Sequence, residues 1–123
     1  MAIVAIGTDL VELKRLRAVW EKHPERFLQR HFSPAEIEYC LGKADPLPSL
    51  AVRFAAKEAF QKCWSASFGW LEVWVEIQDR KPELRFAPRI AAEMQAGHLK
   101  AHLALSHEKS HALAMVVLER MES

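Results

Sequence analysis

Cysteine is scarce: Cys40 and Cys63 are the only two in 123 residues, and both fall on segments that read as helices. That is too few for a disulfide framework and suits buried, reduced thiols. No apolar run reaches the roughly 18 residues of a membrane span. The first residues lack the basic start and cleavage site of a secretory leader, so the expected location is the cytoplasm. An excess of charge is missing too, since 17 Lys and Arg against 16 Asp and Glu leave a formal net charge of +1. No overall field marks a general nucleic-acid binder, and any charged partner must be met by a local patch. Internal repeats, linkers and low-complexity stretches are also absent. Half of the residues are hydrophobic (50%), enough for one domain with a modest core. That domain is expected over residues 1–120, with a frayed tail at 121–123.

What the chain does have is a dense mixture of charge and apolar bulk in R-F-A-A-K-E-A-F-Q-K, from Arg53 to Lys62. Wound at about 100° per residue, Val52, Ala55, Ala56, Ala59, Phe60 and Cys63 share one arc. Arg53, Lys57, Glu58, Gln61 and Lys62 fill the opposite one, which predicts an amphipathic helix with a buried back. Phe54 projects from the charged arc, out of reach of the chain's own core. It needs a ligand or a neighbouring subunit.

Ala2 to Ile6 reads as a buried strand that delivers Asp9 at its end, after Gly7-Thr8. From about Leu10 to Lys22 the period is helical, with Leu13, Leu16 and Trp20 on one face. Lys14, Arg15, Arg17 and Lys22 make the other face the most basic local surface in the chain. A second helical piece runs from Pro24 toward His31. Ser33-Pro34-Ala35-Glu36 is a helix start with a capping box, and Gly42 is its stop. Asp45 to Ser49 is expected as a loop, with Ser49 capping the central helix, and Trp64 to Trp70 as a turn or loop. Leu71 to Gln78 alternates as a half-buried strand, with Leu71, Val73, Val75 and Ile77 inward. It turns at Asp79-Arg80-Lys81-Pro82 into a short strand near Leu84 to Phe86. A helix from Pro88 to Ala96 ends at Gly97, and strands follow at Leu99 to Leu105 and Ala112 to Leu118. The sum is an α+β domain, an antiparallel β-sheet packed against helices.

Two carboxylates stand out, Asp9 at a strand end and Glu58 on a polar helix face. They are either ordinary surface acids or ligands of Mg²⁺, which takes one or two protein carboxylates and completes its octahedron with water and substrate phosphate. Arg53, Lys57 and Lys62 beside Glu58 suit a phosphate-bearing substrate, or else serve surface ion pairs such as Glu58 with Lys62 at i,i+4. His107-Glu108-Lys109-Ser110-His111 matches H-E-x-x-H and raises a zinc hydrolase as an alternative. That motif needs a helix to converge its imidazoles, whereas here it lies between two predicted strands.

Four stretches occur in order: Ile6-Gly7-Thr8-Asp9, Phe32-Ser33-Pro34-Ala35-Glu36, Arg53-Phe54-Ala55-Ala56-Lys57-Glu58-Ala59-Phe60 with Lys62, and Leu105-Ser106-His107-Glu108. Over nearly its whole length the chain thereby resembles the holo-acyl carrier protein synthases, the small class of 4′-phosphopantetheinyl transferases. The resemblance implies transfer of the phosphopantetheine arm of coenzyme A to a serine of an apo acyl carrier protein, with Mg²⁺ held by Asp9 and Glu58. It implies Glu58, or a water it orients, as the base, Lys62 at the leaving phosphate, and Arg53, Ser106 and His107 as nucleotide and phosphate contacts. It further implies a homotrimer with sites at subunit junctions, where Phe54 would find its partner. Lys14, Arg15, Arg17 and Lys22 would dock the acidic carrier. A noncatalytic coenzyme A or carrier-binding domain is the other alternative. The sequence departs from the family pattern at Ala5, in the loop Cys63 to Gly69, at Arg80 where glycine is common before Lys-Pro, and at Ser110-His111.

Overall fold

The computed structural model describes residues 1–122. Its elements in order are β1 (Ala2–Glu12), α1 (Leu13–Lys22), α2 (Pro24–His31), α3 (Pro34–Leu41) and α4 (Leu47–Gln61), then a 3₁₀ turn (Trp70–Glu72), β2 (Val73–Gln78), β3 (Lys81–Phe86), α5 (Pro88–Ala96), β4 (Leu99–His107) and β5 (His111–Arg120). The strands form two antiparallel sheets, one ordered β1-β5-β4 and the other the β2-β3 hairpin. Helix α4 lies across one face of the larger sheet, and α1, α3 and β2 close over its other side. Beyond β5, the Met121 N–H still donates to the His98 carbonyl at 2.7 Å. Ser123, the end of the tail expected at 121–123, lies outside the described residues.

Strand β1 is longer than its apolar start predicts. It pairs with β5 from Ala2↔Arg120 to Glu12↔His111, with a bulge between Ile3 and Ala5. Asp9, paired with Ala114, is therefore a mid-strand residue rather than a strand terminus, and α1 starts at Leu13 instead of Leu10. A row of backbone partners on β5 holds residues 8 to 12 extended, Thr8, Asp9 and Glu12 included, which a reading of hydrophobicity alone does not see.

Gly7 explains how sheet and helix meet. A Cβ there would overlap the Ala59 carbonyl oxygen and sit 2.9 Å from Cys63 Sγ. Ala51, Ala55, Ala56 and Ala59 of α4 are fully buried, as are Ala112 and Ala114 of β5. Small side chains on both partners let the backbones approach closely.

The central helix begins at Leu47, not after Ser49. Pro48 sits in its first turn, where a missing N–H costs nothing, and Asp45 Oδ1 accepts the Leu47 N–H at 3.2 Å. Nor is α4 amphipathic as expected. Arg53 and Lys57, assigned to the solvent arc, are only 3% and 1% exposed. Helical periodicity identifies the face that meets the sheet; it is blind to the helices and hairpin that cover the opposite face. The capping box of α3 forms as read, with the Glu36 N–H on Ser33 Oγ and the Ser33 N–H on Glu36 Oε1 at 3.2 and 2.9 Å. Helix α5 has the expected bounds, with Gly97 as its C-cap. In the β2 strand Val73 and Val75 are buried, but Leu71 and Ile77, expected inward, are exposed.

The β2-β3 hairpin turns on Asp79 and Arg80, with φ of 51° and 67°. Two consecutive left-handed residues are what a tight hairpin of matching twist requires, and each costs a side-chain-bearing residue on the order of 1 kcal/mol. A glycine at position 80 would avoid that cost. Arg80→Gly is expected to raise the melting temperature by about 2 to 5 °C. An unchanged or lower value in a thermal scan would contradict this.

Candidate active site

The close contact at Gly7 decides where the site is. Side chains alternate along a strand, so Asp9 faces the same side as Gly7, toward α4, and Glu58 is the neighbour of Ala59 on that helix. Both carboxylates line one open cleft of about 330 Å³, together with Glu12, Arg15, Val19 and Phe54. Lys62, one turn beyond Glu58, crosses to β1: its Nζ donates to the Thr8 carbonyl at 2.7 Å and to Asp9 Oδ1 at 3.3 Å. The lysine side chain is 53% exposed and the Asp9 side chain 18%, so Lys62 can swing while Asp9 is held. A larger depression of about 530 Å³ between β3, α5 and β4 has Glu83, Arg85 and Lys100 in its lining but neither of these carboxylates. The two carboxylates thus meet in the smaller cleft.

Burial pushes the Glu58 carboxyl up from its ordinary proton affinity, the neighbouring Asp9 charge pushes it further, and Lys62 opposes both. Two acids are thus held together with one mobile cation for relief. Hard oxygen donors crowded in this way fit a divalent ion of the Mg²⁺ type, which keeps open positions for water and phosphate. They do not fit zinc, which prefers a fuller set of nitrogen and sulfur ligands. Among the described residues no group of three or more His, Cys, Asp or Glu could hold a metal ion. The H-E-x-x-H match dissolves in the hairpin. His107 ends β4 opposite the buried Ala112, so His111, the next residue along β5, points to the other face. Glu108 instead forms the turn, accepting the N–H groups of Ser110 and His111 at 2.7 and 2.6 Å.

Arg53, Ser106 and His107 do not reach this cleft within the chain. The Arg53 guanidinium donates to the Ser49 carbonyl at 3.0 Å and lies 4.5 Å from the centre of the Tyr39 ring, while its Nε has no partner. Lys43 Nζ lies 4.6 Å from the centre of that ring. Ser106 and His107 are exposed at the end of β4, separated from β1 by β5, a lateral distance of about 10 Å.

Phe54 does find a partner in its own chain, contrary to the expectation that it could not. Its ring stacks on Trp70 at 4.9 Å and 25°, with His31 at 5.6 Å behind it. The loop after α4 brings Trp70 back over the helix, a return that the helix period does not reveal. Phe54 still lines the cleft, and on the other side of Glu58 a cavity of about 140 Å³ is walled by Lys57, Gln61, Phe68 and Trp70. Glu12 and Val19 line the cleft and Trp70 the smaller cavity beside it, and sequence reasoning missed all three. Of the basic face of α1, Arg15 lines the cleft, Arg17 Nη2 leans to within 3.9 Å of Asp45, and Lys14 and Lys22 are exposed.

The model of the 4′-phosphopantetheinyl transferase superfamily matches residues 5–116. A holo-[acyl-carrier-protein] synthase of Thermus thermophilus is 57% identical over 117 residues, covering 95% of this chain and 94% of its own. One from Deinococcus radiodurans is 46% identical over 129 residues, covering 98% and 96%. The solved holo-[acyl-carrier-protein] synthase from Neisseria meningitidis superposes with a TM-score of 0.87 at 31% identity, over 95% of this chain and 98% of that one. The Bacillus anthracis synthase, solved in complex with CoA (3′,5′-ADP), gives 0.80 at 31% identity over 98% and 100%. By the family match over residues 5–116 and these identities, the chain belongs to the 4′-phosphopantetheinyl transferase superfamily and stands within it among the holo-[acyl-carrier-protein] synthases.

Proposed function

We propose that the protein, through a single domain over residues 1–120 and in the cytoplasm, transfers the 4′-phosphopantetheine group of coenzyme A to a serine of an apo acyl carrier protein, releasing adenosine 3′,5′-bisphosphate. The observation that carries this reading is the convergence of Asp9 and Glu58 on one cleft with Lys62 at its rim. Asp9 and Glu58 would hold Mg²⁺, which when bound would neutralise charge on the pyrophosphate. Glu58, with its raised proton affinity, takes the hydroxyl proton of the carrier serine directly or through a water. The serine oxygen then bonds to the pantetheine-side phosphorus as the bond to the nucleotide phosphate breaks. Lys62 leaves the Thr8 carbonyl to stabilise or protonate that departing phosphate.

The nucleotide contacts of Ser106 and His107 come from a neighbouring copy in this reading, because neither reaches the cleft of its own chain, while Arg53, on the same helix as Glu58, would have to leave the Ser49 carbonyl to contribute. The back of the larger sheet supports such assembly. Ile6 and Leu10 of β1 are 61% and 63% exposed there, beside Ile3, Leu113 and Met115, an apolar face of the kind that subunits cover. A homotrimer follows the family and would set Phe54 at the junction; sedimentation showing only a 14.1 kDa species at micromolar concentration would remove it.

The decisive experiment incubates the protein with coenzyme A, Mg²⁺ and several apo carrier proteins and weighs the carriers. A mass gain of one phosphopantetheine that chelator abolishes is expected; no gain on any carrier refutes the reading. Carrier docking is assigned to Lys14, Arg15, Arg17 and Lys22, with Arg15 closest to the chemistry. Arg15→Glu is expected to raise KM for an acidic carrier about tenfold at low salt and to flatten its salt dependence, with little change in kcat. An unaltered KM at low salt would dismiss that docking face.

A further inference from the structure

Lys57 precedes Glu58 in the segment Arg53 to Lys62, yet its ammonium never meets the cleft. The side chain has no solvent exposure and donates to three oxygens on three different elements. They are the His31 carbonyl at the end of α2 at 2.6 Å, Glu36 Oε1 on α3 at 2.8 Å, and the Trp70 carbonyl in the 3₁₀ turn at 3.0 Å. An ammonium has three protons to give, so its demand is met in full. The Glu36 carboxylate is equally sealed: Oε1 also accepts the Ser33 N–H, and Oε2 accepts the Val75 N–H of β2 at 2.9 Å. Burial works against the charge on Lys57, and Glu36 works to keep it.

The elements joined by this pair are the ones that shape the site from behind. Of the three residues the ammonium holds, His31 and Trp70 also form the aromatic wall. The His31 ring lies 4.8 Å from Trp70, and Trp70 stacks on Phe54, which lines the cleft of Asp9 and Glu58. Successive side chains leave a helix about 100° apart. Anchoring Lys57 at three points therefore fixes the direction in which Glu58 leaves α4.

We propose that the Lys57–Glu36 ion pair is a positioning device for the active site, setting the rotation of α4 at Glu58 and the depth of the Trp70–Phe54 wall. Lys57 is a positioning residue and touches no substrate. The proposal rests on the reading of Glu58 as a site residue. A pair that merely held the fold together would be replaceable by an uncharged pair without effect on the cleft.

The test uses Glu36→Gln/Lys57→Met in the full chain, since Lys57→Met alone strands a sealed carboxylate. The double variant removes both charges, an exchange that is often neutral for stability, and keeps one amide oxygen, which can accept from either the Ser33 or the Val75 N–H. It is expected to melt within about 5 °C of the native protein, to bind Mn²⁺ about tenfold more weakly, and to lose about tenfold or more in kcat. A crystal structure of the metal-free double variant is expected to show the Glu58 carboxylate displaced relative to Asp9. Native Mn²⁺ affinity with an unshifted Glu58 overturns the proposal. If the native protein itself binds no Mn²⁺, the metal reading fails and the crystal comparison alone judges Lys57. If the double variant does not fold, Glu36→Gln, which removes the countercharge and one of the two acceptor oxygens, decides by the same readouts.

Discussion

Glu58→Gln is expected to lower phosphopantetheine transfer by about three orders of magnitude while making the metal-free protein more resistant to heat at neutral pH. The two effects have one cause. In the fold, burial and Asp9 raise the proton affinity of Glu58 above its ordinary value of 4.5, so the folded state binds this proton more tightly than the unfolded chain does. The associated stability is fully present below the unfolded pKa and is lost as pH rises through the higher folded one. At neutral pH the metal-free native protein thus holds two carboxylates that repel each other. Glutamine removes that repulsion along with the metal ligand and the base, an exchange of activity for stability. The melting temperature of the variant is expected to exceed that of the native protein by about 1 to 3 °C at pH 7.5, with the gap closing at pH 4. Because Glu58 is partly exposed, solvent screening keeps the gap small. Undiminished transfer by the variant, seen as carrier mass gain at the native rate, would withdraw Glu58 from the mechanism.

Gly7→Ala, by contrast, is expected to lose both stability and activity. The added methyl meets a backbone carbonyl, that of Ala59, as well as the Cys63 sulfur. The sulfur could give way; the carbonyl belongs to the backbone of α4 and can move only with the helix. Strand and helix must therefore separate, at a cost of about 1 to 3 kcal/mol for an overpacked methyl. Asp9 is carried on the strand that moves and Glu58 on the helix that stays. Turnover is expected to fall about a hundredfold, in line with the sensitivity of catalysis to displacements of an ångström, and Mg²⁺ half-saturation should rise. Denaturant melts and metal titrations of the purified variant would check both. A variant that is destabilised yet has native turnover and metal dependence would show that the carboxylate pair tolerates the shift.

The sequence was informative where one element decides the outcome. The capping box at Ser33 and Glu36, the α5 bounds from Pro88 to Gly97, and the alternation in β2 around Val73 and Val75 are local signals, and the structure contains them. It was misleading where a second element arrives from a distance. Arg53 and Lys57 looked solvent-facing because their covers, Tyr39 and Glu36, come from another helix. Phe54 looked orphaned because Trp70 returns over it after an irregular loop. Asp9 looked like a strand end because β1 is extended by its partner β5, not by its own hydrophobicity. Of the site, Asp9, Glu58 and Lys62 were found through motif order and are brought together in the chain. Glu12, Val19 and Trp70 were not found, since no residue type or spacing distinguishes a cleft wall before the fold places it. The tie at Lys57 had one legible half: Glu36 was read as a capping residue, and nothing local shows that the same carboxylate also faces an ammonium.

The bulge in β1 bears on which changes of length such a chain could survive. Asp9 faces the helix and Leu10 faces the back of the sheet, so a residue lost between Ala5 and Asp9 would turn the carboxylate away from Glu58 and its apolar neighbour into the cleft. Upstream, the irregularity between Ile3 and Ala5 already accommodates one unmatched residue. A deletion at Val4 would straighten the ladder and leave everything beyond Ala5 in phase. Natural insertions and deletions in this strand should therefore collect on the N-terminal side of the bulge, and the stretch from Ala5 to Asp9 should keep its length even where its residues vary.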